Sequence, residues 1–242
     1  MQINNFRVAC VKYIWAFLAV PLFLSCSARI SGPLRQDGSA DLNITASLEP
    51  RTASLIRSLA SISGTFSSDS AVINGPAIAQ SMNRAPGVGS AVLRNTSPSA
   101  IEGLVQVAKI NDFLAAGGRR FITFEQNSGG GRMLITLNRQ TSPEILNLFS
   151  PEISDYLSAL MAPIATGEAL TKTEYLNLVG TVYNRGISDE ISSSMISITV
   201  TLPTAVRSVR GGTFSGRQAI FDLRLLDLLV LETPLSYEVV WN

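Results

Sequence analysis

The sequence of 242 residues contains no histidine and only two cysteines, and just 15% of its residues are charged. The absence of histidine excludes nucleophiles that depend on an imidazole base, imidazole metal ligands and histidine pH switches. No CxxC, HExxH, GxGxxG or Asp-rich calcium loop occurs, so we predict neither a metal site nor a cofactor. The hydrophobic fraction of 46% leaves ample material for a buried core.

The sequence also lacks an excess of either charge, because 19 basic residues are balanced by 18 acidic ones and the formal net charge is +1. Such a chain has no field that would concentrate nucleic acid, which we therefore do not expect as a partner. Arginine nevertheless outnumbers lysine by 16 to 3. The planar guanidinium suits phosphate and carboxylate groups, although a genomic bias towards arginine codons explains the excess equally well. The candidate contacts for an anion or a lipid headgroup are Arg119, Arg120, Arg207, Arg210 and Arg217.

The first 25 residues have the pattern of an export signal rather than of a folded segment. Arg7 and Lys12 precede an uncharged stretch that runs from Tyr13 to Ser25. A spanning helix needs about 20 apolar residues, whereas a stretch of this length is typical of the core of a signal peptide. The amino terminus therefore predicts export from the cytoplasm.

The signal-like stretch ends in Leu22-Phe-Leu-Ser-Cys26, which resembles the lipobox of bacterial lipoprotein precursors. Phe23 occupies a position that is usually leucine, so the site is similar to the relaxed lipobox of spirochaetes. The resemblance implies cleavage before Cys26, acylation of that cysteine and anchoring to the cell membrane or outer membrane through its acyl chains. A plain secretion signal and a short uncleaved anchor remain as alternatives.

Cleavage at that point would divide the chain into three parts: a signal peptide over 1–25, a lipidated tether over 26–38 and one domain over 39–242. Cys10 would leave with the signal peptide, so the mature chain would have no second thiol for a disulfide bond. Fully extended, the tether would reach at most about 40 Å, which keeps the folded part close to its membrane.

The remaining pattern predicts an α+β fold, with a largely antiparallel sheet and helices packed on one face. Residues 40–48 alternate strictly between apolar and polar, as in a strand with one buried face, and an amphipathic helix follows over 51–62. A hairpin surrounds the glycines at 129–131, two helices begin near Thr141 and Ser150, and strands return after residue 195. The apolar run Leu225–Leu231 fits either a buried helical turn or a bulged strand.

Catalytic signals are weak throughout, and we predict no catalytic residue. Ser215 lies between glycines but without the G-x-S-x-G spacing, and neither Lys109 nor Lys172 belongs to an S-x-x-K motif. Most carboxylates lie in first helical turns, where they favour the helix dipole, or on solvent-exposed strand faces, and neither position requires a catalytic role. These features favour a non-enzymatic binding or scaffold module for a partner protein or an amphiphile.

Two other functions remain open from the sequence. A lipid or headgroup carrier would line a continuous cavity with strand residues such as Phe221, Leu223 and Leu225. A histidine-free envelope hydrolase would bring carboxylates together, or a serine close to one of the two mature lysines.

Overall fold

The computed structural model describes residues 27–62, 71–115, 121–141, 161 and 169–242. These ranges contain eleven strands in two sheets, together with six helices. All strand pairs but one are antiparallel, which confirms the predicted α+β class and its largely antiparallel character. Cys26, Arg119, Arg120 and the helices predicted after Thr141 and Ser150 lie outside the described residues.

The larger sheet, here called sheet A, has seven strands in the order β3-β4-β2-β1-β7-β10-β9. Its single parallel pair joins β1 to β7 at the centre. The strands are β1 (Ser27–Pro33), β2 (Ala40–Ser47), β3 (Val88–Ser97), β4 (Ala100–Val107), β7 (Met195–Thr201), β9 (Thr213–Ser215) and β10 (Gln218–Arg224).

The smaller sheet, sheet B, has the order β5-β6-β11-β8 and is antiparallel throughout. The sequence pattern predicted one sheet, whereas the hairpin around Gly129 pairs with the carboxyl-terminal strand and forms a second sheet with it. The strands are β5 (Ile122–Asn127), β6 (Gly130–Leu137), β8 (Val206–Arg210) and β11 (Leu235–Trp241).

The helices follow the local signals closely. Asn74 accepts a hydrogen bond from the backbone N–H of Ala77, and the Thr171 and Glu174 side chains form a reciprocal capping box. No helix in the described ranges is long and apolar enough to cross a membrane. The helices are α1 (Pro50–Ile62), α2 (Gly75–Met82), α3 (Ile110–Ala115), α4 (Lys172–Val182), α5 (Arg185–Ser193) and α6 (Leu225–Val230).

The prediction of a tether over residues 26–38 is wrong for residues 27–33, because these residues form β1 at the centre of sheet A. Ala28 and Ile30 alternate with polar residues at the strand period, but the run is too short and too polar to stand out in the sequence. Pairing with β2 on one side and β7 on the other satisfies its backbone groups. Residues 27–33 therefore belong to the folded domain, which the sequence predicted to start at residue 39.

Two clusters of buried side chains form the core. The first lies on sheet A and includes Val239 and Trp241 of sheet B, and the second joins α4, α5 and α6 to sheet B. The run Leu225–Leu231, which the sequence left undecided, is helix α6 and ends at Leu231 with a φ of 45°. Val230 is fully buried, so this run belongs to the core.

Candidate functional site

The three central strands of sheet A carry a continuous band of small and branched apolar side chains on one face. The register aligns Ile44 with Ile30 and Ile30 with Ile198, and the rows on either side continue in the same way. We call this band the apolar strip. Its members are Ala28, Ile30, Leu42, Ile44, Ala46, Ile196, Ile198 and Val200.

The apolar strip is less buried than the parts of the same sheet face that flank it. Every member of the strip is half-buried. On the neighbouring strands, Val105 is 1% exposed, Ala219 0% and Phe221 3%. The central strands of a sheet are usually better buried than the strands beside them, and here they are less buried. The strip is therefore an apolar surface that the rest of the described core covers only in part.

The β3 side of the face is covered by α2, which is held to this edge strand by two asparagines. The side chain of Asn83 donates to the carbonyl of Ala91 over 2.9 Å and accepts from the N–H of the same residue over 2.6 Å. The side chain of Asn95 accepts from the N–H of Gly75 over 3.0 Å. These contacts hold α2 against β3, at one side of the sheet.

The β10 side of the face is covered by sheet B. The ring of Tyr237 meets that of Phe221 edge-on, with 5.9 Å between their centroids. Val206, Val239 and Trp241 belong to the same buried cluster as Phe221. The apolar strip thus lies between two covered flanks.

Two glycines leave gaps in the side-chain rows that cross the strip. A Cβ atom at Gly32 would lie 1.8 Å from the carbonyl oxygen of Asp41, and one at Gly103 would lie 2.0 Å from that of Val92. Neighbouring backbone therefore approaches too closely for any side chain at either position. Gly32 is aligned with Val200 and Gly103 with Ile44, so both rows are reduced in volume next to the strip.

The residues that the sequence suggested as cavity lining are part of the buried core and not of the strip. Phe221 and Leu223 are 3% and 6% exposed and belong to the first core cluster, and Leu225 packs against the second. The strip residues were recognisable as the apolar face of strands. Their incomplete burial had no local signal, because it depends on where α2 and sheet B end.

Of the predicted arginine contacts, the three that the structure describes are not gathered at the strip. Arg210 lies 3.5 Å from the carboxylate of Glu238, which is also the partner of Arg132. Arg217 donates to the carbonyl of Pro203 over 3.3 Å, and Arg207 is exposed on β8. A headgroup or anion site at these positions stays a prediction, and Arg210 is already partnered by a carboxylate.

The two lysines that the structure describes, Lys109 and Lys172, do not meet Ser215. The ammonium of Lys172 lies 2.7 Å from Asp227, and Lys109 immediately precedes α3. Ser215 is an exposed residue of β9. Among the described residues, no group of three or more cysteine and carboxylate side chains could hold a metal ion.

One pair of carboxylates, Glu49 and Glu190, meets at the start of α1. Glu190 accepts from the backbone N–H and the hydroxyl of Thr52, both over 2.8 Å, and from the N–H of Arg51 over 3.2 Å. It thereby satisfies donors of the first helical turn. Burial, together with the charge of Glu190, raises the pKa of Glu49 above its usual value of 4.5.

We expect Glu49→Gln to stabilise the protein at neutral pH and to have little effect at acidic pH. Because the pKa of Glu49 is raised in the folded state, its ionisation lowers the free energy of unfolding as the pH rises through that pKa. Glutamine cannot ionise, so the variant should not lose this part of the stability. Urea unfolding of both proteins at neutral pH and below pH 4.5 measures the difference. Glu125→Gln, at an exposed position of β5, is the control, and an equal gain at both pH values would contradict the expectation.

The described residues thus define an α+β domain with a half-buried apolar strip across the centre of its larger sheet. No protein-family model matches the chain, and no curated protein is significantly similar to it. Among solved structures, it is similar to the folded domain of the Mycobacterium tuberculosis LppM protein, determined by NMR. The identity is 11%, 90% of each chain is covered and the TM-score is 0.42. Similarity at this level carries no argument for a shared ligand or activity.

Proposed function

We propose that this protein is a membrane-anchored lipoprotein of the cell envelope whose folded domain is a non-enzymatic module that binds an amphiphile on the apolar strip. The observation that carries the proposal is the half-buried state of the strip between two fully buried flanks. The anchor is Cys26, whose lipobox-like context implies acylation.

The chemistry of the strip suits an acyl or prenyl chain. It contains only alanine, valine, isoleucine and leucine, so it offers dispersion contacts and no polar group that a ligand would have to satisfy. Each methylene that an apolar chain buries contributes about 0.8 kcal/mol, so even a partly buried chain would gain binding free energy on the strip. A partner protein that presents an apolar side is the other ligand class compatible with this face.

The test is native mass spectrometry of the full-length protein purified from membranes of its host. We expect lipid bound non-covalently in addition to the covalent acyl chains. The double variant Ala28→Leu with Ala46→Leu fills the strip from within, and we expect it to lower the bound lipid about ten-fold, which corresponds to about 1.4 kcal/mol.

Thr45→Leu is the matched control, since it enlarges the neighbouring residue of β2 on the opposite, exposed face. Thermal unfolding confirms that all variants are folded. Wild-type protein without bound lipid, or variants that retain as much lipid as the wild type, would overturn the amphiphile proposal. A co-purified protein lost only from the strip variant would instead favour the partner-protein function.

A further inference from the structure

The start of β1 places the membrane attachment point directly against sheet A. Ser27 is the first residue of β1, and it is one Cα step, about 3.8 Å, from Cys26. The chain outside the described residues therefore ends at the sheet itself, with no intervening stalk. This holds both for a lipidated Cys26 and for an uncleaved apolar anchor.

The residues that surround Ser27 form one end of sheet A, which we call the sheet base. Ser27 is aligned with Ser47 and Met195, which are in turn aligned with Ala100 and Arg224. Ser97, at the end of β3, is aligned with Ala100 and extends the same edge. Strands of seven residues at about 3.3 Å per residue place the opposite end of the sheet about 20 Å away.

Three exposed arginines lie at or near the sheet base: Arg224 within it, Arg29 two residues along β1 and Arg51 at the start of α1. None of them takes part in the ion pairs found among the described residues. Of the nearby carboxylates, Glu102 is paired with Arg94, Glu190 caps α1 beside Glu49, and Asp222 is exposed. What distinguishes this end is therefore the position and exposure of the three guanidinium groups and not an excess of charge.

We propose that the sheet base is the surface of the domain that lies against the phospholipid headgroups, with Arg29, Arg51 and Arg224 contacting phosphate groups. Guanidinium groups bind phosphate oxygens in a bidentate manner, and an anionic membrane surface attracts cationic side chains that lie close to it. The domain thus stands upright on the bilayer, with the strands of sheet A running away from it.

This orientation also bears on the apolar strip. Ala28, Ala46 and Ile196 form the row of the strip next to the sheet base. An amphiphile leaving the bilayer would reach this row first and could enter the strip without crossing water. The inference rests on the membrane anchoring in the proposed function, but not on the binding of an amphiphile.

The test measures the depth of two fluorescent labels on the full-length, membrane-anchored protein in vesicles of equal parts phosphatidylcholine and phosphatidylglycerol. Ser97→Cys labels the sheet base, and Gln218→Cys labels the opposite end, with both positions exposed. We expect quenchers attached to lipid headgroups to quench the first label several-fold more than the second. Equal quenching of the two labels, strong or weak, would overturn the orientation.

A charge series tests the arginines in the same vesicles. The triple variant Arg29→Gln, Arg51→Gln and Arg224→Gln should lose most of the difference between the labels. The control variant replaces Arg207, Arg210 and Arg217 by glutamine. These are the described arginines that the sequence suggested as headgroup contacts, and Arg217 adjoins the distant label, so the two variants decide which set faces the bilayer. A larger loss in the control than in the first variant would overturn the assignment.

The intact mass of each sample shows whether Cys26 is acylated, so a failure of anchoring is distinguished from a wrong orientation. Acylated protein with equally quenched labels contradicts only the orientation. Acylated, upright protein that carries no additional lipid contradicts only the amphiphile-binding function.

Discussion

Replacement of Cys26 by serine is expected to abolish acylation and to leave residues 1–25 on the chain. The thioether requires the sulfur of this cysteine, and the implied cleavage before residue 26 depends on the same residue. Because each buried methylene contributes about 0.8 kcal/mol, two or three acyl chains on Cys26 would anchor the wild-type protein stably. Metabolic labelling with palmitate should fall to background, and the intact mass should be that of the unprocessed chain.

The matched control is Cys10→Ser, which removes the other cysteine from within the signal-like segment. We expect it to be cleaved and acylated like the wild type, because residue 10 leaves with the signal peptide. Palmitate incorporation that persists in Cys26→Ser, or that disappears in Cys10→Ser, would contradict the lipoprotein assignment. Removal of residues 1–25 without acylation of the wild type would indicate plain secretion.

Trp241→Ala is expected to lower the free energy of unfolding by about 3–5 kcal/mol, as large-to-small substitutions of buried aromatic residues do. Trp241 is 2% exposed, and its ring centroid lies 6.0 Å from that of Phe124 in sheet B. Removing the ring would leave a cavity where sheet B meets the core of sheet A. Urea unfolding measures the loss. Phe214→Ala is the control, because this aromatic residue is 48% exposed and should change stability by about 0.5 kcal/mol at most.

A double-mutant cycle with Gly131 tests the packing more directly. A Cβ atom at Gly131 would lie 2.2 Å from the ring of Trp241, so Gly131→Ala should cost about 1–3 kcal/mol by overpacking. In the Trp241→Ala background the same change should cost less, because the ring is gone, although the carbonyl oxygen of Glu125, 2.8 Å from that Cβ position, still opposes the added methyl group. An equal cost in both backgrounds would show that the ring is not what excludes a side chain at residue 131.

The sequence predicted the helices and strands whose pattern is complete within one short stretch of the chain. The strand over 40–48 and the helix over 51–62 correspond to β2 and α1, because alternation and helical spacing are visible in a single stretch of chain. The hairpin around Gly129 was also recognised. Its glycines have a further cause that the sequence does not reveal, since Gly131 lies beneath Trp241, more than 100 residues later.

The elements that the sequence missed depend on contacts between distant segments. Ser27–Pro33 was interpreted as part of a tether, yet it is the centre of sheet A because β2 and β7 both pair with it. The run Leu225–Leu231, which the sequence left undecided, contains helix α6, because Leu226 and Leu229 pack in one buried cluster with residues of α4 and α5. In each case the decisive partner is far away along the chain, and no local pattern encodes it.

The sequence alone excluded imidazole chemistry and predicted where the chain is attached to a membrane. The missing histidine removes imidazole catalysis, and the segment ending in Cys26 resembles a lipid attachment site, since both features are properties of residue types in short stretches. Only the tertiary structure decided that the residue next to the predicted attachment point begins the central strand of sheet A. It also decided that the apolar strip beside this point is left half-buried. The physical reason is that burial and proximity depend on how α2 and the strands of sheet B pack around strands that are far away in the chain.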